Sequence, residues 1–303
     1  VKRSVGRAGV HSSLRLAAVV MPRGKGLVTR RLRLSRMAVA AAERVLGVRG
    51  VEVVAVSPTA GVRVHRPRDA QYPAPAVLWI HGGGYVLGSA RIEDRKCRRM
   101  ADRLGVVVAA VDYRLAPERP HPAALDDCYA ALAWLAETPQ IDARRIVVAG
   151  VSAGGGLAAA LSMRCIDNGL VDLAGQVLQY PMLDDRTAVR RLPSALGWTA
   201  HDNRFGWRSY LAGEPGADSV GDYASPARRS DLADMPPTWI GVGTADMFHD
   251  ENVDFAARLE AAGVPTHLEV VPGAFHGFDV TPGNELARSF KAAQLDAIGR
   301  FLG

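Results

Sequence analysis

From residue 51 onward the chain repeats one unit, a short apolar run followed by a stretch long enough for a helix. The runs at 76–80 (AVLWI), 106–111 (VVVAAV), 146–149 (IVVA), 177–180 (VLQY), 238–242 (TWIGV) and 267–271 (HLEVV) carry almost no charge. Near-continuous apolar runs of this length suit strands buried on both faces, and alternation with helices predicts a mostly parallel α/β sheet. The helix-length segments are 93–104, 123–137, 154–168, 251–262 and 286–302. The last places Leu286, Phe290, Ala293, Leu295 and Ile298 along one broad apolar side. Runs 51–57 and 62–66, joined by a short Pro-Thr-Ala-Gly turn, read as an antiparallel pair that opens the sheet. The expected total is about eight strands.

Two stretches break this rhythm. Between residues 184 and 235 no buried strand is evident, yet Trp198, Phe205, Trp207, Tyr210 and Tyr223 lie there. An insertion of this size between strands reads as a helical cap over the carboxyl ends of the sheet. Its aromatic rings serve either the cap's own small core or the wall of a pocket. Residues 1–50 hold twelve of the 37 Lys and Arg but only one of the 31 acids, Glu43. The net charge of +6 therefore belongs to this arm, and residues 51–303 are net acidic. Basic arms suit anionic surfaces or nucleic acid, but no basic stripe interleaved with aromatics supports the latter, and a solvated helical flap is the simpler reading. The expected organisation is a basic arm over 1–50, then one domain over 51–303 with the cap inserted at about 184–235.

No apolar run reaches the roughly 18–20 residues that span a bilayer. The short apolar stretch at 16–21 has no clear cleavage site after it, so neither a signal peptide nor stable membrane insertion is expected and a cytoplasmic location follows. Cys97, Cys128 and Cys165 are odd in number and widely spaced, which suits buried thiols in a reducing compartment. No His/Cys/carboxylate cluster has metal-ligand spacing and no phosphate-loop pattern occurs, so no metal and no cofactor are expected.

The chemistry centres on Gly150-Val151-Ser152-Ala153-Gly154. Ser152 follows a predicted strand at once and precedes a predicted helix, so a sharp turn would hold its hydroxyl exposed above the sheet edge. A serine hydroxyl needs a base, and the base needs a group to orient it. Asp246 lies just past the 238–242 strand, and His276 just past the 267–271 strand. The other histidines fit worse: His65 and His267 lie in strands, His11 in the arm, His201 in the cap, His81 before glycines and His121 between prolines. His249 is only three residues from Asp246 on the same loop. Asp250 and Glu251 compete for the acid role, but they read as first-turn acids of the next helix. An oxyanion needs preorganised donors. His81-Gly82-Gly83-Gly84 directly follows a strand, and the N–H groups of Gly83, Gly84 and Ala153 could supply them.

These strings, together with Asp112-Tyr113-Arg114-Leu115-Ala116-Pro117-Glu118 and His276-Gly277-Phe278, resemble the hormone-sensitive-lipase-like branch of the α/β-hydrolases over residues 50–303. The resemblance implies the α/β-hydrolase fold with a helical cap to which both the insertion at about 184–235 and the basic arm over 1–50 contribute. It implies Ser152 as nucleophile, Asp246 as acid, His276 as base, and Gly83, Gly84 and Ala153 as oxyanion donors. His81, Tyr113 and Glu118 would hold loops around the site. Relatives commonly carry Asp or Thr where this chain has Val151, and often Pro-Leu where it has Met247-Phe248. Neither departure touches the triad.

The resulting expectation is a serine carboxylesterase that acts on short- to medium-chain esters without a cofactor. The partner is a small-molecule ester and not nucleic acid, and the oligomeric state stays open, a homodimer included. An amidase or formamidase would use the same residues, because both reactions pass through one tetrahedral intermediate. A receptor-like homologue is the other alternative, but plant gibberellin receptors of this type have lost the histidine that is present here as His276. The pocket is expected to draw on Tyr85, Val86, Trp198, Phe205, Trp207 and Tyr210.

Overall fold

The computed structural model describes residues 9–20, 27–190 and 196–303. The parts of the arm at 1–8 and 21–26, and of the insertion at 191–195, lie outside them.

Chain order begins with a short helix α1 (Ala17–Val20) and the longer α2 (Leu27–Leu46), whose backbone leaves helical geometry at Arg31. Then follow β1 (Glu52–Ala55), β2 (Gly61–His65), β3 (Ala74–Ile80), α3 (Asp94–Leu104), β4 (Val107–Asp112) and α4 (Ala123–Glu137). The second half runs β5 (Ile141–Val151), α5 (Ala153–Asp167), β6 (Gly175–Gln179), α6 (Ala200–Leu211), β7 (Thr238–Gly243), α7 (His249–Ala261), β8 (Thr266–Val271) and α8 (Glu285–Leu302). The eight strands form one sheet in the order β1-β2-β4-β3-β5-β6-β7-β8. β2 is antiparallel to β1 and β4, and every pair from β4 to β8 is parallel.

The apolar strands are continuous because both faces are covered. In β3, Leu78 and Ile80 face the layer of α4, α5 and α7, while Val77 and Trp79 face that of α3 and α8. The same alternation separates Val148 from Val147 and Ala149 in β5. Local signals set the helix ends. Gly105 closes α3 at φ +68°, Thr199 accepts from Asp202 N–H at the start of α6, and Asn284 accepts from Ala287 N–H at the start of α8. Cys97, Cys128 and Cys165 sit on α3, α4 and α5, all buried and free.

Strand and helix limits agree with the sequence expectation to within two residues, apart from β5. It begins at Ile141, five residues before its apolar run. Its first half carries Asp142, Arg144 and Arg145 and is only partly buried, so hydrophobic periodicity does not mark it. Among the described residues no helix is long and apolar enough to cross a membrane.

Glu251 departs from its expected role. Asp250 is exposed in the first turn of α7, but Glu251 is buried and accepts from the N–H groups of Leu183 (2.8 Å) and Asp184 (3.3 Å) and from the Thr187 hydroxyl. It anchors the chain where the insertion leaves the sheet. Burial pushes its carboxyl up to about 8, with the Asp184 charge adding to the rise. Between the ordinary value of 4.5 and about 8, the folded state holds a proton that the unfolded chain has released. Stability from this group therefore falls as pH rises through that window. Glu251→Gln keeps one acceptor for the two N–H groups, so its melting temperature should decline less than that of the parent between pH 5 and pH 9. Parallel slopes in a thermal melt series would remove this assignment.

Candidate active site

β5 delivers Ser152 at its carboxyl end in a backbone conformation that only a tight turn demands, φ +57° and ψ −120°. The flanking glycines are required by contact. A Cβ on Gly150 would lie 2.1 Å from the Gly154 oxygen, and one on Gly154 would lie 2.2 Å from the Ile80 oxygen. The turn is pinned by Ser152 N–H donating to Gln179 O (2.8 Å) and by Met182 N–H donating to Ser152 O (3.0 Å). The elbow is thus locked to β6 on one side and pressed against the end of β3 on the other.

The three residues singled out from separate loops meet. Ser152 Oγ lies 2.9 Å from His276 Nε2, and His276 Nδ1 lies 2.8 Å from Asp246 Oδ2. Asp246 is fully buried at its side chain, and its Oδ1 accepts from Phe248 N–H at 2.9 Å. The imidazole is held edge-on by Tyr180 (4.5 Å between centroids) and Phe248 (5.1 Å). His249, the neighbour in sequence, is turned to Asp250 and stays out of the cluster.

Gly83 and Gly84 adopt φ +121° and +59°, and neither position has room for a Cβ. One on Gly83 would strike Leu87 O at 2.1 Å, and one on Gly84 the Trp198 ring at 2.2 Å. The loop is braced by His81, whose Nδ1–H donates to Gly82 O (2.7 Å). Its ring stacks on Tyr113 at 4.1 Å, and Tyr113 O–H donates to His81 O. Burial holds the His81 imidazole below its usual range, so it sits neutral in this brace. Ala153 opens α5, and an N–H in the first turn of a helix has no intrahelical acceptor. Among the described residues, neither Gly83 N–H nor Gly84 N–H donates a hydrogen bond.

The aromatic residues divide. Tyr85, Trp207 and Tyr210 are fully buried and pack on one another, with Tyr85 stacked on Tyr210 at 4.0 Å. Val86 is buried beside them, and Phe205 is half-buried against the same core. Trp198 lies across Gly84, while Gly197 beside it is so near the His276 oxygen that a Cβ would stand 2.5 Å away. The insertion therefore crosses from the histidine loop to the glycine loop.

Two contacts had no sequence signal. Arg36 of α2 donates to Val86 O (3.0 Å) and Ala116 O (2.8 Å) and forms a bidentate pair with Glu118 (2.7 and 2.9 Å). It is one arginine among many in the arm, and nothing local marks it. Residues 9–20 bury Val10, Leu14 and Ala18 in the core beside Phe275 and Phe278, and His11 N–H donates to Gly273 O. This packing supports the loop that presents His276.

A family model described as alpha/beta hydrolase fold matches residues 77–280. Esterase LipI of Mycobacterium tuberculosis is 36% identical over 225 residues, covering 72% of this chain and 70% of that protein. Ethyl acetate hydrolase of Pseudomonas putida is 36% identical over 229 residues, covering 73% and 71%. Among solved structures, a bacterial heroin esterase superposes with a TM-score of 0.89 at 34% identity, covering 98% of this chain and 99% of that one.

Proposed function

The chain belongs to the alpha/beta hydrolase fold family, in its hormone-sensitive-lipase-like branch, and we propose that it is a serine carboxylesterase of short- to medium-chain esters. The observation that carries this is the unbroken line from Ser152 Oγ through His276 to the buried Asp246, with hydrogen-bond distances of 2.9 and 2.8 Å. His276 Nε2 takes the Ser152 proton as Oγ attacks the ester carbonyl. Asp246 holds the proton on Nδ1, so that Nε2 presents its lone pair. The developing oxyanion is met by the N–H groups of Gly83, Gly84 and Ala153. His276 then protonates the leaving alcohol, and a water deprotonated by the same imidazole releases the acid and restores Ser152.

The insertion and α2 act as the cap in this reading. Arg36 ties α2 to the Tyr85-Val86 stretch, and Trp198 covers Gly84. The names of the matched proteins favour esters over amides. A complete relay of proton donors and acceptors favours turnover over binding alone.

A fluorophosphonate probe tests the assignment directly. One equivalent should label the protein, with the adduct on Ser152 by peptide mapping and no labelling of Ser152→Ala. Labelling of another residue, or none, would reject the site.

A further inference from the structure

Two cavities lie side by side along the seam between α3 and α8. The larger, of about 900 Å³, is walled by Arg95, Lys96, Arg98, Arg99 and Lys291, and the smaller, of about 410 Å³, extends the same charge through Arg103 and Arg288. The carboxylates on the larger cavity are Glu93 and Asp279, and Asp279 is engaged by the Tyr180 hydroxyl at 2.5 Å. Among the described residues, none of its five cations lies within ion-pair distance of a carboxylate, although the Lys96 charge acts on Glu93, and their hydrogen-bond partners are neutral. Arg95 donates to Val45 O, Lys291 to Asp279 O, and Lys96 to Gln179 Oε1 while resting 4.0 Å from the Trp79 ring. Cations concentrated on a concave surface without carboxylate partners focus a field that attracts an anion.

The larger cavity adjoins the site just described. Val151, directly before Ser152, is in its wall and contributes no charge. Tyr180, also in the wall, packs its ring on His276, and Val280 belongs to the turn that follows His276. If Ser152 and His276 act as proposed above, the leaving oxygen of the ester must come within reach of His276 Nε2 to receive its proton. The alcohol portion then projects toward the histidine side, where Tyr180 and Val280 border the cationic cavity. We propose that the alcohol portion of the substrate carries a carboxylate, which this cavity binds. This inference rests on the hydrolase reading and narrows its substrate class.

The test compares 3-acetoxybenzoate with its methyl ester, followed in both by release of acetate, so that the acetyl–phenol bond common to the pair is the one read and the difference is charge. At low salt, kcat/KM for the carboxylate should exceed that for the methyl ester by about tenfold, and the advantage should shrink at high salt. Arg95→Glu combined with Arg99→Glu should cost the carboxylate at least about tenfold, mainly in KM, and leave the methyl ester within about twofold. A methyl ester that is hydrolysed as well or better, or an equal loss on both substrates in the double variant, overturns the proposal. Calorimetric titration of Ser152→Ala with both compounds separates the two levels. Tighter binding of the carboxylate without turnover in the parent protein upholds the anion site and removes the hydrolase reading. Equal binding removes the anion site whether or not either ester is hydrolysed.

Discussion

Ser152→Ala should lower kcat for a short-chain 4-nitrophenyl ester by about five to six orders of magnitude, leaving a residual rate from the oxyanion donors and binding alone. The expectation is this large because no other described hydroxyl is hydrogen-bonded to His276, and the histidine has no further role without a nucleophile. A loss below about a hundredfold would mean that another group attacks the ester. The backbone adds a second, independent readout. Ser152 sits at φ +57°, a strained region for any residue with a Cβ. Ser152→Gly removes the same hydroxyl and relieves that strain, so it should be equally inactive yet more stable than Ser152→Ala by about 1 kcal/mol. Urea unfolding of the two variants measures the difference. Equal stability would mean that the elbow stores no strain.

The alternation of apolar runs with helix-length segments was enough to anticipate a mostly parallel sheet, because buried parallel strands need nearly uninterrupted apolar sequence. It also pointed to the candidate site, since Asp246 and His276 each follow the end of an apolar run and a parallel sheet gathers such ends along one edge. What sequence could not convey was orientation. Glu251 and Asp250 look alike as first-turn acids, but the helix rotates one into the core and the other into solvent. Similarly, Trp198 and Trp207 are both aromatic residues of one insertion. Only tertiary packing decides that Trp198 lies on Gly84 while Trp207 is buried against Tyr85.

The long-range polar contacts of Arg36 were illegible for a different reason. Arg36 reaches residues 50 and more positions away, and its clamp on Val86, Ala116 and Glu118 follows from where α2 docks. An arginine on a basic arm carries the same local signature whether it meets solvent or a carboxylate. Val151 is a comparable case. In sequence it is a departure beside Ser152, and its place in the wall of a cationic cavity emerges only from the packing of α3 and α8.

Asp246→Asn should cost about four orders of magnitude in kcat, roughly ten- to a hundredfold less than Ser152→Ala, although it changes one atom. Asp246 Oδ1 accepts from Phe248 N–H and Oδ2 accepts from His276 Nδ1–H. An asparagine satisfies Phe248 by placing its carbonyl at the Oδ1 position, which turns its NH₂ toward His276. Nδ1 must then accept, the imidazole proton moves to Nε2, and Nε2 donates to Ser152 Oγ instead of receiving its proton. The flipped amide would instead leave the buried Phe248 N–H facing a donor, at a cost of about 1–3 kcal/mol, so the inactive arrangement is the stable one. Fluorophosphonate labelling of Ser152 should slow in parallel with ester turnover, while the thermal unfolding temperature moves by only a few degrees. A drop in kcat below about tenfold would show that Asp246 does not set the histidine tautomer. Collapse of the fold together with activity would make its role structural instead.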